Sequence, residues 1–212
     1  MESLYGDDDV SLVMNPVDLN QFNACQRTKK DPTTVGFLYT RSPRKNVALA
    51  VSALEKARSR VPGLRAVAFG ADEPNKELPL PSWIEFHYCP PQSRIPDLYA
   101  ACDAWLFTSE SEGFGLPILE AMACRTPVLA TAAGAAPEIV DETNGMLLPS
   151  DADAFAAAIV EFASMSAGRW RTLSDNALAQ ARRHEWSQAV VQFEAALHYA
   201  MSKSASHSTT IK

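Results

Sequence analysis

The sequence predicts an α/β protein: a parallel sheet of about six strands, helices on both of its faces, and a run of helices at the carboxyl end. Three observations carry this. Short apolar runs recur at VGFLY (35–39), RAVAF (65–69), IEFHY (84–88), DAWLF (103–107), PVLAT (127–131) and GMLLP (145–149). Helical periodicity fills the gaps between them, and strands alternating with helices imply a parallel sheet wrapped on both sides. After residue 150 the strand signals stop and alanine-rich amphipathic stretches follow.

In chain order, residues 1–34 read as a polar lead-in with no sustained period. VSLVMNPVDLNQF (10–22) leaves room for one short strand and a turn at Asn15-Pro16. Residues 35–183 form the sheet domain. Behind the first strand, Lys45 to Arg60 reads as a helix, with Val47, Ala50, Val51, Leu54 and Ala57 on one face and Pro62-Gly63 stopping it. Residues 71–83 hold three prolines and read as a loop. Further helices are expected at Arg94 to Ala101, Leu116 to Cys124 and Pro137 to Val140. Three more follow, at Ala152 to Ser166, Arg169 to Arg183 and Trp186 to Met201. Residues 184–202 are set apart as a C-terminal helix. The polar tail 203–212 has a composition that predicts disorder.

Bulk properties exclude some functions. Hydrophobic residues make up 47% of 212, charged residues 21%, and the net charge is −6. Such a chain has no general basic field for nucleic acid or anionic lipid. Cys25, Cys89, Cys102 and Cys124 form no C-x-x-C pair, no secretory leader is visible in MESLYGDDDV, and no apolar run approaches the ~20 residues of a membrane span. Free thiols and a cytoplasmic location are therefore expected.

In open α/β sheets, ligands bind beyond the carboxyl ends of the strands. Three loops with chemistry fall there: after 35–39, after 84–88 and after 103–107. The third is SESEGFGLPILEAMAC (109–124). Pro117 suits the first turn of a helix. Gly113 and Gly115 let the backbone approach a ligand, and the free amides of a helix start favour an anion. Glu112 in the loop and Glu120 one turn into the helix can face one crevice, and a carboxylate accepts the two hydrogen bonds of a vicinal diol. The alternative is a helix-end charge with a solvated Glu120. TRSPRKN (40–46), after the first strand, carries Arg41, Arg44 and Lys45. Positioned cations of this kind can stabilise negative charge growing on a leaving diphosphate. They are also common in exposed loops. YCPPQSR (88–94) brings Arg94, which could lie against a base or simply start a helix.

EGFGLPILEAMACRTPVLAT followed by GAAPEIV closely resembles the signature of the family 4 glycosyltransferases, which have the GT-B fold. NPVDLNQF (15–22) is similar to the segment leading from that family's first domain into its second. FLYTRSPRKNVALAVSALEKA is similar to the opening of the second domain, and LYAACDAWLFTSESEGFG to the approach to the acidic motif. The match runs from about residue 15 to about residue 197. Arg125 and Ala135 stand where the family usually has glycine, and Thr108 where proline often precedes the serine.

The resemblance implies a Rossmann-like domain, the C-terminal half of a GT-B fold, that binds a nucleotide-diphosphate sugar. It implies transfer of the glycosyl group with retention, by front-face attack and without metal or cofactor. Arg41 and Lys45 would hold the diphosphate, with Arg44 facing solvent. Glu112 would hold the hydroxyls of the donor sugar, and Glu120 the ribose diol. Gly113, Phe114, Gly115 and Leu116 would line the donor, and Arg94 would lie near the base. The acceptor, a glycan, lipid or small molecule, would be read by an N-terminal domain in a longer chain or a separate subunit. Peripheral membrane contact would come through that domain, and the last helix could return to it or dimerise. Two further readings are a donor-binding subunit inactive without its acceptor domain, and an epimerase or phosphorylase on the same fold. Asp7-Asp8-Asp9 follows no strand and reads as a solvated flank. His87, His184, His198 and His207 have no ligand spacing. The G-x-G at 113–115 lacks a third glycine, which argues against a dinucleotide fingerprint. Met122, Trp105 and Phe107 read as core.

Overall fold

The computed structural model describes residues 11–208, with side chains described through residue 203. Asp7-Asp8-Asp9 and the last four residues of the tail lie outside the described residues. Six parallel strands make one sheet: β1 (Thr34–Leu38), β2 (Arg65–Gly70), β3 (Ile84–Tyr88), β4 (Ala104–Phe107), β5 (Val128–Ala130) and β6 (Gly145–Leu147). Their order is β3-β2-β1-β4-β5-β6. The order reverses between β1 and β4, which pair with Val35 opposite Ala104 and Phe37 opposite Leu106. The expected α/β architecture with about six parallel strands is what the chain adopts.

Among the described residues seven α-helices connect and follow these strands: α1 (Val47–Arg58), α2 (Ile95–Ala100), α3 (Leu116–Ala123), α4 (Ala136–Ile139), α5 (Ala152–Ser164), α6 (Ala167–Arg182) and α7 (Trp186–Ser208). Strand alternation divides the core. Val35, Phe37, Ala66 and Ala68 point to the face covered by α1 and α5. Val67, Phe69, Trp105 and Phe107 point to the face covered by α2 and α3. Each large apolar side chain buried this way contributes roughly 1.5–3 kcal/mol. Met122, Trp105 and Phe107 belong to this core, as expected.

Several boundaries differ from expectation for local reasons. The first helix begins at Val47 rather than Lys45. Pro43–Lys45 forms a separate 3₁₀ turn, and Asn46, at φ 44°, caps α1 by accepting from the Leu49 amide. Lys45 therefore sits in a loop. Ser166 is the cap of α6, not the end of the helix before it. The segment expected to hold a strand before Asn15-Pro16 has none among its described residues. Only Val17 bridges to Glu185, and Asp18 turns the chain by accepting from the Asn20 and Gln21 amides. The lead-in is not loose either, since Val17 and Phe22 are buried in the core.

Of the tail 203–212 expected to be disordered, residues 203–208 are described, and they are helical. α7 continues through Ser208, because no glycine or proline follows Trp186 to stop it. Most of α7 is exposed, including Trp186, Val190, Phe193, Leu197 and Met201. No helix among the described residues is long and apolar enough to cross a membrane.

Candidate functional site

The reversal between β1 and β4 leaves a crevice at their carboxyl ends, lined by Leu38, Lys45, Phe107, Thr108, Ser109 and Pro117. The two loops beside it are joined. Thr108 donates its hydroxyl to the Lys45 carbonyl at 3.0 Å, and the Glu110 amide donates to the Arg44 carbonyl at 2.8 Å. Asn46 Nδ2 donates to Glu110 at 3.0 Å. At the centre, Lys45 Nζ lies 2.5 Å from Glu112 Oε1, with the two side chains only 26% and 12% exposed. Ser109 Oγ donates to the same carboxylate oxygen at 2.6 Å.

Gly115 turns the acidic loop into α3 at φ 101°, where a Cβ would meet the Phe107 ring at 2.9 Å. The loop after β5 braces it. Gly134, at φ 59°, passes so close that a Cβ would sit 2.4 Å from the Phe114 carbonyl oxygen, and Ala135 donates its amide to that oxygen at 2.8 Å. Ala135 is at φ −84°, so the missing second glycine costs nothing there. Gly113 faces open space. The amides of Gly113, Phe114, Gly115 and Leu116 have no acceptor among the described residues. Pro117 has none to offer, and Ile118 spends its own on Gly115. The anion-seeking donors at this corner therefore belong to the loop more than to the helix.

Glu120 lies one turn into α3. Its Oε2 accepts from the Tyr99 hydroxyl at 2.7 Å. Burial pushes its carboxyl above the ordinary value, while the Tyr99 hydrogen bond and the charge of Lys45 pull the other way. Arg41 and Lys45 turn to opposite neighbours. Lys45 faces the β4 loop, whereas Arg41 pairs at 3.3 Å with Asp72, beyond β2. Arg44 is exposed. Arg94 pairs with Asp97 at 3.9 Å and lines a separate cavity with Arg65, Glu85 and His87. It contributes nothing to the Lys45–Glu112 contact. β3 is the edge strand, two places from β1, which sets the 88–94 loop apart from the other two.

Tyr99, Ser109 and Asn46 lie inside the motif stretches, where the resemblance implies no role for them, and Asp72 lies in none of them; all four shape the site. Among the described residues no group of three His, Cys, Asp or Glu side chains could hold a metal. Cys25, Cys89, Cys102 and Cys124 are all free thiols. Lys45 and Glu112 meet at this corner, the unpaired loop amides lie next to Glu112 in the chain, and Glu120 lies near enough to feel the charge of Lys45; groups of these kinds can take an anion and several hydroxyls.

Fold and geometry define a class: an open parallel α/β domain with its acid–base cluster at the point where strand order reverses. Residues 30–165, more than half of the chain, match the family model described as Glycosyl transferases group 1. The chain belongs to that family. It is 37% identical over 111 residues to the O-antigen chain mannosyltransferase B of Escherichia coli, covering 52% of this chain and 29% of the relative. It is 30% identical over 184 residues to the D-inositol 3-phosphate glycosyltransferase of Mycobacterium marinum, covering 79% and 38%. The chain thus spans well under half the length of these two curated relatives.

Among solved structures, it resembles the C-terminal domain of a group 1 family glycosyl transferase from Francisella tularensis. The TM-score is 0.66 at 26% identity, over 79% of this chain and 97% of that one. Anabaena HepE in complex with UDP-glucose gives a TM-score of 0.69 at 25% identity, over 90% and 57%. The sheet is that of a GT-B glycosyltransferase, as the motif resemblance implied.

Proposed function

We propose that this chain is the donor-binding domain of a retaining, metal-independent glycosyltransferase of family 4, and that it binds a nucleotide-diphosphate sugar at the β1/β4 crevice. The observation that carries this is the Lys45–Glu112 contact at 2.5 Å, which brings the basic loop and the acidic loop to one point. Lys45 takes the diphosphate, with Arg41 joining it by leaving Asp72. Positive charge there stabilises the leaving group as the bond from the anomeric carbon to the diphosphate oxygen breaks. Glu112, released from Lys45, accepts from hydroxyls of the donor sugar, and Glu120 accepts from the ribose diol. The unpaired amides from Gly113 to Leu116 line the same donor. Arg94 is left to the far side of the base loop. The UDP-glucose bound to the HepE relative supports a nucleotide-sugar ligand of this class.

The acceptor is read by a second domain, in a longer chain or a separate subunit, which also supplies any membrane contact. The exposed apolar side chains of α7 favour this, since they need a cover. The chain alone then binds donor without transferring it. In this reading the protein works in the cytoplasm, where nucleotide-sugars are supplied.

Calorimetry with UDP and GDP tests the assignment. One of them binds, and Glu120→Ala and Lys45→Ala each weaken it about 10- to 100-fold, the worth of a charge-assisted hydrogen bond. No binding of either nucleotide, or unchanged affinity in both variants, overturns it.

A further inference from the structure

We propose that Tyr99 is a positioning residue for Glu120: it fixes the carboxylate in one orientation and keeps it ready to accept the hydroxyls of a bound nucleotide. This rests on the reading that Glu120 takes the ribose diol.

The geometry is specific. The Tyr99 ring is only 1% exposed and lies against Trp105 at 4.5 Å, Phe69 at 5.4 Å and Phe22 at 6.2 Å. Its backbone is tied down as well, because Thr126 Oγ1 donates to the Tyr99 carbonyl at 2.8 Å. Neither ring nor backbone can move without disturbing the core, so the hydroxyl has one place to be. Its hydrogen bond to Glu120 Oε2 at 2.7 Å is the only side-chain hydrogen bond that Glu120 makes among the described residues. Glu120 is half-buried, and a carboxylate with a single protein donor has acceptor sites left over. It holds capacity for further O–H donors, and the fixed hydroxyl decides which way that capacity faces.

The direction of the bond is settled. Burial and the neighbouring carboxylate hold the Tyr99 phenol well above its usual range, so it donates to the ionised Glu120 carboxylate. The groups that face Glu120 are few. Tyr99 comes from α2, Lys45 from the β1 loop, and Cys124 from the C-terminal cap of α3, its thiol pushed up to about 12 by burial. Of these only Tyr99 and Lys45 favour the ionised carboxylate, and Lys45 is committed to Glu112. Tyr99 is the larger of the two influences.

The test is the pH dependence of UDP and GDP affinity in Tyr99→Phe, a change that keeps the ring and removes the hydroxyl. Taking the ratio of variant to wild-type Kd at each pH cancels the titration of the ligand's own phosphates. Without the hydroxyl, Glu120 takes up a proton at higher pH. The acidic loss of affinity then begins about one pH unit earlier, and the ratio climbs to about tenfold below it. In a Glu120→Gln background the effect of adding Tyr99→Phe no longer changes with pH and stays within about twofold, since the two act as one unit. A ratio that is constant across pH, or a full Tyr99→Phe loss on top of Glu120→Gln, makes Tyr99 a merely structural residue and overturns the proposal. If Glu120→Gln binds nucleotide as well as wild type, the ribose assignment itself fails.

Discussion

Asp72 accepts from the Arg41 amide at 2.9 Å and from the Thr40 hydroxyl at 2.8 Å, in addition to its ion pair with the Arg41 guanidinium. The amide is the largest cause of its lowered carboxyl, the Thr40 hydroxyl is next, and the guanidinium comes last. An exposed ion pair is worth little, whereas an amide held by the fold is always present. An NMR titration of the Asp72 carboxyl should therefore find its midpoint below 3.8, and Arg41→Ala should leave most of that depression in place. A return to the ordinary value in Arg41→Ala would show that the guanidinium dominates after all. The sign follows from linkage. A carboxyl lowered in the folded state holds the turn together above the unfolded value and loses that contribution as pH falls through the folded one. Arg41 thus sits on a turn that is fully ordered at neutral pH, with its guanidinium held by an exposed, weak bond.

Arg125 belongs to the element scale, because it ends α3. It stands at φ 60°, with the Thr126 amide reaching back to the Ala121 carbonyl at 2.9 Å and the Arg125 amide to Met122 at 2.9 Å. This is the left-handed helix ending at which glycine is cheapest, and a side chain there costs roughly 1 kcal/mol. Arg125 offsets the cost by reaching out. Its Nε donates to the Ala24 carbonyl at 3.1 Å, its Nη1 pairs with Asp175, and Ser174 donates to its carbonyl at 2.7 Å. One side chain thus ties α3, α6 and the lead-in together. Arg125→Ala, which keeps the strain and loses the anchors, should be less stable in denaturant than Arg125→Gly by about 1 kcal/mol. Equal stability would mean that the φ cost is absent.

Much of the fold is legible because strands buried on both faces read as apolar runs, and IEFHY is read to the residue. The junctions are harder. Asn46 looks like one more helical position and is instead the left-handed cap that frees Lys45 for the crevice. The meeting of Lys45 with Glu112 could be anticipated from two loops at the same edge. Tyr99 with Glu120, and Asp72 with Arg41, could not, since a bond between side chains 21 or 31 residues apart leaves no period in the sequence.

At the scale of the whole molecule, the sheet and its two core layers are complete by the end of α6. The described side chains of α7, through residue 203, are mostly exposed, with Trp186, Val190, Phe193 and Leu197 recurring every three or four residues along one side. The helix adds little to the core. A chain ending at Glu185 should melt within about 2–4 °C of the full chain, corresponding to ~1 kcal/mol or less. A larger fall would show that α7 folds back on the domain.

One contact gives that helix a further meaning. Val17 donates its amide to the His184 carbonyl at 2.8 Å and bridges Glu185, so the lead-in and the start of α7 leave the sheet domain side by side. Met14 already lines a cleft with Gln188, Ala189 and Gln192 of α7. A polypeptide joined ahead of Val17 is therefore tethered within reach of the apolar stripe from its first residues. Short tethers of this kind hold two surfaces at an effective concentration of about millimolar. A contact far too weak to persist between separate molecules would, in cis, be occupied most of the time.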